Sequence, residues 1–441
     1  MRWLLLPLLL TCCDPVQVND PRTPGEPSLR LPPPTQKGPT SADVSGAFEV
    51  GPGRKFPDLH SVAPLLGPGD VVTLQGNARY RGGVRFSRPG AEGRPITIRG
   101  VVVDGKRPVI EGSVDSIEVA GDHYVFENLE ITGASKRCFF HHAHGVVIRN
   151  SFIHDCMNGL LGADDNSGSL TIEASEFARS GDGTYHHQIY MATDETAHPG
   201  AVFVLRHCFI HSGKGGNNVK SRAEKNRIVE NWIEGARYHE VELVGPDGQD
   251  PALAREDGEV VGNVIFKTGD FHAVRIGGDG TGDTGGRYRF VNNTFIMAGP
   301  KGVIRLQDRV ESIELFNNVF AQAGGGTVTL FRDETVRLRG GPLVSGAHNW
   351  FPEGSVIDPA LERSRLGRTP GFVDLAAADL RPLPKGALVG AGQRDTSTNA
   401  THPLLDALAA PSFEPPARKL DGSVLRARAA RGPISIGAFE P

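Results

Sequence analysis

The chain has 441 residues and a formal net charge of -4, a balance that leaves no global electrostatic footprint for nucleic acid. Its 56 glycines and 32 prolines fall largely between short β-rich runs, with no amphipathic helix of ten or more residues among them, which excludes the helical solenoids. Length alone does not require a second domain, because a stacked repeat grows along one axis without needing a second core.

At the N-terminus, Met1-Arg2-Trp3 precedes an apolar run from Leu4 to Leu10, too short to span a bilayer but suited to a signal-peptide core. Leu10-Thr11-Cys12-Cys13 follows, and residues 1–13 resemble a bacterial lipoprotein signal. The resemblance implies acylation of Cys13, with Cys12 as the alternative, and a protein of the cell envelope held to a membrane only through a lipid; an ordinary cleaved signal would give a secreted protein. Residues 14–46 are rich in Pro, Ser, Thr and charge and read as an extended tether.

Residues 47–112 hold a short helix around Leu59-His60-Ser61-Val62 and then the first strands, at Pro68-Gly69-Asp70-Val71-Val72 and Pro95-Ile96-Thr97-Ile98. They are expected to cap one end of the stack, as an open sheet edge requires.

From 113 to 335 a motif recurs: an asparagine, one residue, then a large apolar residue. It stands at Asn150-Ser151-Phe152, Asn231-Trp232-Ile233, Asn263-Val264-Ile265, Asn293-Thr294-Phe295 and Asn318-Val319-Phe320, with looser copies beginning at Asn128, Ala174 and His207. Successive copies are 22 to 33 residues apart, the period of a unit that cannot bury its apolar face alone. Short β runs at that period predict a right-handed parallel β-helix, an all-β solenoid with an N-terminal cap, in which the asparagine sits at a turn and bonds its counterparts above and below.

Residues 336–441 form an irregular, capping end. Asp358-Pro359-Ala360-Leu361, Gly371-Phe372-Val373-Asp374, Leu380-Arg381-Pro382, Leu388-Val389-Gly390-Ala391-Gly392 and Ile436-Gly437-Ala438-Phe439-Glu440 resemble, in order, the exit segment of bacterial surface β-helix proteins. With the entry segment this likeness spans residues 47–441, and it concerns architecture more than activity.

A second set of short strands precedes the asparagine motifs: Gln188-Ile189-Tyr190, Asn218-Val219-Lys220-Ser221-Arg222, Glu240-Val241-Glu242-Leu243, Ala273-Val274-Arg275-Ile276 and Val303-Ile304-Arg305-Leu306. Alternation sends Ile189, Val219, Val241, Val274 and Ile304 inward and presents Tyr190, Lys220, Glu242, Arg275 and Arg305 as an outer column. Gln188, Asn218 and Glu240 are expected as a second exposed column, with Arg222 further along its strand and His186, His187, Tyr238 and His239 flanking. Such a strip suits a polysaccharide.

The run Asn218-Val219-Lys220-Ser221-Arg222 followed by Asn231-Trp232-Ile233 resembles the lysine coil of the alginate and chondroitin lyases of this fold. The resemblance implies that Lys220 is the base of a β-elimination on a uronic-acid polymer, often with calcium on the carboxylate. The arginine that those enzymes carry one coil later is Glu242 here, and Gly213-Lys214-Gly215-Gly216-Asn217 lacks the acidic residues of their calcium site, so no metal is assigned. At about 5 Å a carboxylate attracts an ammonium by roughly 3 kcal/mol at an effective dielectric near 20. Glu242 therefore favours protonated Lys220, while Arg222 and Arg275 push the other way.

Three weaker patterns compete with bland readings. Asp164-Asp165-Asn166 reads as an acid and base pair or an Asx turn, and Gly277-Gly278-Asp279-Gly280-Thr281-Gly282-Asp283 as a calcium loop or a turn. Cys138, His142 and His144 fall on one face as zinc ligands or lie along a coil surface. Cys138, Cys156 and Cys208 read as small buried residues, with one disulfide open to them in an oxidising compartment.

The expectation is a monomeric envelope or secreted protein engaging a polysaccharide. As an enzyme it would use Lys220 as base, Arg222 and Arg275 on the carboxylate, and Tyr190 or His187 at the leaving oxygen. As a non-catalytic module it would only bind glycan or project from the envelope. Lys220 paired to Glu242 and fully solvated favours the module; Lys220 in a cleft with Arg222 and His187 favours the enzyme.

Overall fold

A computed structural model describes residues 46–245, 257–279, 286–307, 309–333, 343–394, 396, 410–418, 420, 425–428 and 432–441. Cys12 and Cys13, expected from the sequence as lipidation candidates, the stretch to residue 45 expected as a tether, and Gly280 to Asp283 of the glycine loop lie outside them.

Three long parallel sheets run the length of the stack, of 13, 12 and 10 strands. Sheet A starts at Ala47–Val50 and passes through Val71–Leu74, Val146–Arg149, Lys225–Val229 and Ser312–Phe316 to Leu361–Glu362. Sheet B follows one corner later in each coil, as in Phe152–His154, Trp232–Glu234 and Thr294–Met297, and sheet C one corner after that, as in Asn158–Gly162, Val219–Arg222 and Val241–Leu243. Every strand of these sheets pairs in parallel with its counterpart in the next coil, and right-handed crossovers follow from the twist of the strands. Both sheets A and B continue past residue 335, through Leu343–Ala347 and Arg365–Gly367.

Inward positions repeat coil by coil. Ile189, Val219, Val241, Val274 and Ile304 are all fully buried, as alternation requires. The entry helix, Leu59–Val62, is capped by Asp58, whose Oδ1 accepts from Ser61 N at 2.9 Å, and it buries Leu59 and Val62 in the same core. The C-terminal segment lies along sheet B, where Leu380, Leu388, Ile436 and Phe439 cover Trp232, Val264, Ile296 and Val319.

The asparagines occupy the corner between sheets A and B. Asn231, Asn263, Asn293 and Asn318 each donate Nδ2 to the Oδ1 of the next, ending on Asn349, at 2.9 to 3.0 Å, and the same Oδ1 accepts the backbone N–H of the coil before. Asn349 extends the ladder by one coil beyond the motifs read from sequence. The copy at Asn150 is out of phase by one residue, since Phe152 is in register with Glu176, Glu176 with Phe209, and Phe209 with Trp232. Ser151, not Asn150, therefore stands at the ladder position, and its hydroxyl receives the N–H of Leu129. Asn128, Asn150, Ala174, His207 and Glu230 form a different column, all with φ between 46° and 59°. That conformation favours Asn, which explains why the sequence shows an asparagine at either position.

Candidate functional site on sheet C

The outer column forms as alternation predicts. Tyr190, Lys220, Glu242, Arg275 and Arg305 are in register on adjacent strands, and Arg332 extends it by one coil. Arg332 follows Phe331 as Arg305 follows Ile304, so the period carried one coil further would have found it.

Lys220 is half-buried, and its Nζ lies over the Tyr190 ring, 4.7 Å from the centroid. It forms neither an ion pair nor a hydrogen bond among the described residues. Burial pulls it toward the neutral amine, Glu242 opposes and Arg222 assists, and the net shift is downward. Of the two arrangements open from the sequence, a Lys220–Glu242 pair does not form, because that carboxylate is held elsewhere. Its Oε1 accepts from Arg275 Nη1 and its Oε2 from Asn217 Nδ2. Burial would raise Glu242, but Arg275 and then Lys220 hold it well below the usual carboxylate range.

Arg222 is not an open cation beside the column. It is 3% exposed, donates Nε to the Tyr190 hydroxyl at 3.1 Å, donates to Gly245 O, and meets Asp279 at 2.5 Å. Asp279 thus serves as partner to a buried guanidinium rather than as a calcium ligand. Glu242 and His239 are likewise buried, at 3% and 5% exposed, and stand beneath the surface rather than on it.

The corner between sheets B and C corrects a larger part of the expectation. Gln188, Asn218 and Glu240 are fully buried, so they are not a second substrate-facing column. Gln188 Nε2 donates to Asn218 Oδ1 at 2.8 Å, and Asn218 Nδ2 to Glu240 Oε2 at 2.6 Å. Lys267, also fully buried, completes the series with its Nζ 3.2 Å from Glu240 Oε1. Gln188, Asn218 and Glu240 stand just before the sheet C strands at a bend, where the side chain turns into the coil and the simple in-and-out rule fails, and Lys267 ends a sheet B strand on the other side of the same corner. Burial raises Glu240 while Lys267 works against it.

Alongside runs a second series of His187, Asn217 and His239. His187 Nδ1 accepts Asn217 N–H at 2.8 Å, and Asn217 Oδ1 accepts the N–H of His239 at 2.9 Å. The bond to Nδ1 leaves the His187 proton on Nε2 and the ring neutral; burial, aided by Lys220, lowers it to about 3. Burial also lowers His239 to about 3. His187 sits edge-on to Tyr190, 5.5 Å between centroids, so Lys220, Arg222 and His187 all gather around the Tyr190 ring. Asn217, which ties Glu242 to both histidines, gave no sequence signal beyond following two glycines.

The other patterns resolve into turns and core. Asn166 takes φ 59° and its N–H reaches Asp194 Oδ2 at 3.0 Å, while Asp165 O accepts from His142 Nδ1. Cys138 points into the core and forms a disulfide with Cys156, which removes it as a zinc ligand; Cys208 is free and buried. Among the described residues no three His, Cys, Asp or Glu side chains are placed to hold a metal ion. Near Lys220 the carboxylates are Glu242 and Asp279, each taken by an arginine, which does not fit a calcium cage of six or more oxygens.

No family model matches this chain, and no curated protein matches it in sequence. Among solved structures, the pectate lyase Pel9A superposes with a TM-score of 0.56 at 16% identity, over 85% of this chain and 98% of its own. The chain is a right-handed parallel β-helix protein of the pectate-lyase-like fold. XylC, solved with xylose, gives a TM-score of 0.49 at 11% identity over 74% of this β-helix chain and 87% of its own. An alginate lyase from Paenibacillus sp. str. FPU-7 gives 0.38 at 19% identity over 64% and 96%. At such identities the likeness is one of fold.

Proposed function

We propose that this β-helix protein binds an acidic polysaccharide on sheet C and cleaves it by β-elimination, with Lys220 as the base. The observation that carries the reading is the state of Lys220: half-buried, resting on the Tyr190 ring with no ion pair or hydrogen bond among the described residues, and shifted toward the neutral amine by burial with help from Arg222. The amine takes the proton from the carbon beside a uronate carboxylate. That electron pair forms the new carbon–carbon double bond as the bond to the glycosidic oxygen breaks. Arg275 and Arg305 face the charge that develops on the carboxylate. The Tyr190 hydroxyl, which accepts from Arg222, is assigned the protonation of the departing oxygen; His187, neutral and bonded at Nδ1, packs beside it. Arg222 acts through Tyr190 as a positioning residue. The N-terminal signal extends the proposal to an envelope-anchored protein lipidated at Cys13 or Cys12.

The full chain is incubated with alginates, pectates and glycosaminoglycans, with and without calcium, while the ultraviolet absorbance of unsaturated uronate ends is followed. Lys220→Ala is expected to lower kcat at least ~10³-fold, about 4 kcal/mol of barrier, with melting unchanged. Absence of new absorbance on every acidic polymer would sink the elimination. A non-catalytic binding module is the second reading, favoured by Glu242 standing where the resembled lyases place an arginine; retention on a polymer without cleavage is its outcome.

A further inference from the structure

Among the described residues the exposed aromatic rings are Tyr185 and Phe271, each 38% exposed, and both stand at the corner between sheets B and C. Half-buried Tyr238 lies with them, its ring edge-on to Phe271 at 4.6 Å and its hydroxyl 3.1 Å from Thr184 Oγ1. The spacing is regular. Tyr238 is four residues before Glu242, Phe271 four before Arg275, and Gly216 four before Lys220.

The glycine is what brings the aromatics together. Gly216 has φ 52°, and a Cβ there would come within 2.3 Å of His187 Nδ1 and 2.4 Å of His186 O. A Cβ on Gly215 would come within 2.6 Å of Asp182 N. The turn from Asp182 to Tyr185 therefore rests directly on the next coil, with Gly216 N–H bonded to Gly183 O at 2.9 Å, and reaches Tyr238 across the gap.

We propose that Tyr185, Tyr238 and Phe271 form a stacking edge for the pyranose rings of a polysaccharide lying along the helix axis. The inference rests on the polysaccharide reading of the same sheet. A sugar ring has an apolar C–H face and a polar rim, and an exposed aromatic edge parallel to a charged column matches both. Over coils spaced by roughly 5 Å the corner offers rings at Tyr185, Tyr238 and Phe271 and the column offers cations at Lys220, Arg275 and Arg305, so a chain lying along the axis meets rings on one flank and cations on the other. The substrate class that fits is a pyranosidic polymer with anionic groups on one flank and a free C–H face on the other.

Dissociation constants of the full-length protein are measured for alginate, pectate and chondroitin sulfate oligosaccharides at low and high salt. Tyr238→Ala and Phe271→Ala are expected to weaken the bound polymer about tenfold each and to leave a residual affinity more sensitive to salt, because the charged contacts are screened and stacking is not. Tyr238→Phe and Phe271→Tyr keep the ring and are expected to retain affinity. Phe271→Leu keeps the bulk beside Tyr238, guards against a folding defect, and is expected to lose affinity like the alanine variant. Wild-type protein that binds none of the polymers overturns the polysaccharide reading and the edge together. Wild-type binding left unchanged by both alanine variants overturns the edge alone.

Discussion

Two of the three corners of each coil solve the same problem with different chemistry. Between sheets A and B, one amide type repeats from Asn231 to Asn349, each bond identical to the last. Between sheets B and C, the equivalent ladder is Gln188, Asn218, Glu240 and Lys267, a different side chain in every coil. A corner that only has to satisfy backbone groups can reuse one residue indefinitely. The corner beneath the Lys220 strand presents a different side chain in each of these coils, and there the repeat breaks.

Acid separates the corners most strongly, because the amide ladder carries no titratable group and the second corner carries neutral His187 and His239. Unfolded histidine takes a proton near 6.5, whereas these take one only near 3, so stability falls as pH falls through that window. Each ring contributes a loss of up to about 2 kcal/mol at pH 5. Glu195, raised to about 7 by burial and by Glu224, works in the opposite direction, so the effect is best isolated as a difference. Melting curves of wild type and His239→Gln from pH 7 to pH 4.5 are expected to converge as pH falls; parallel curves would contradict the neutral assignment.

Charge removal sharpens the contrast next. Lys267→Met strands the Glu240 carboxylate in the core and is expected to cost about 3 kcal/mol in urea unfolding. Adding Glu240→Gln to it should restore much of that, which separates an orphaned charge from lost packing. In the repeating corner, Asn263→Ala removes the acceptor of two N–H groups from the coil of Asn231 and the donor to Ile228 O. About 2 kcal/mol of destabilisation is expected, with kcat unaltered below the transition. A loss of activity without a loss of stability would tie that ladder to the site after all.

What was legible in the sequence follows the same division. Alternation along the strands correctly placed Lys220, Arg275 and Arg305 outward and Val219 inward, because a strand has one period and a core has one polarity, while Glu242 shares their column but is covered by its neighbours. It failed for Gln188, Asn218 and Glu240, which stand at a bend where no period applies, and for Arg222, whose burial depends on Asp279 more than fifty residues away. Asn217 and Lys267 act through contacts one coil distant, and such contacts leave no local mark. The asparagine motif was read one residue out of phase at Asn150 because two adjacent columns, one amide-bonded and one at positive φ, both accept asparagine.

The smallest predicted effect tests the residue that most separates this site from a generic basic strip. Glu242 is the largest charge opposing the depression of Lys220, and it is itself fixed by Arg275 and Asn217 rather than by the lysine. Glu242→Gln keeps a side chain able to bond with Asn217 while removing the charge. The lysine then loses its principal stabilising anion, and Arg275, released from its partner, adds to the repulsion. Both changes act in one direction, so the rise of kcat/KM with pH is expected to move about one unit toward lower pH, roughly 1.4 kcal/mol. A purely structural role for Glu242 would lower kcat/KM at every pH without moving the profile, and a shift toward higher pH would mean that Lys220 is not the group being titrated.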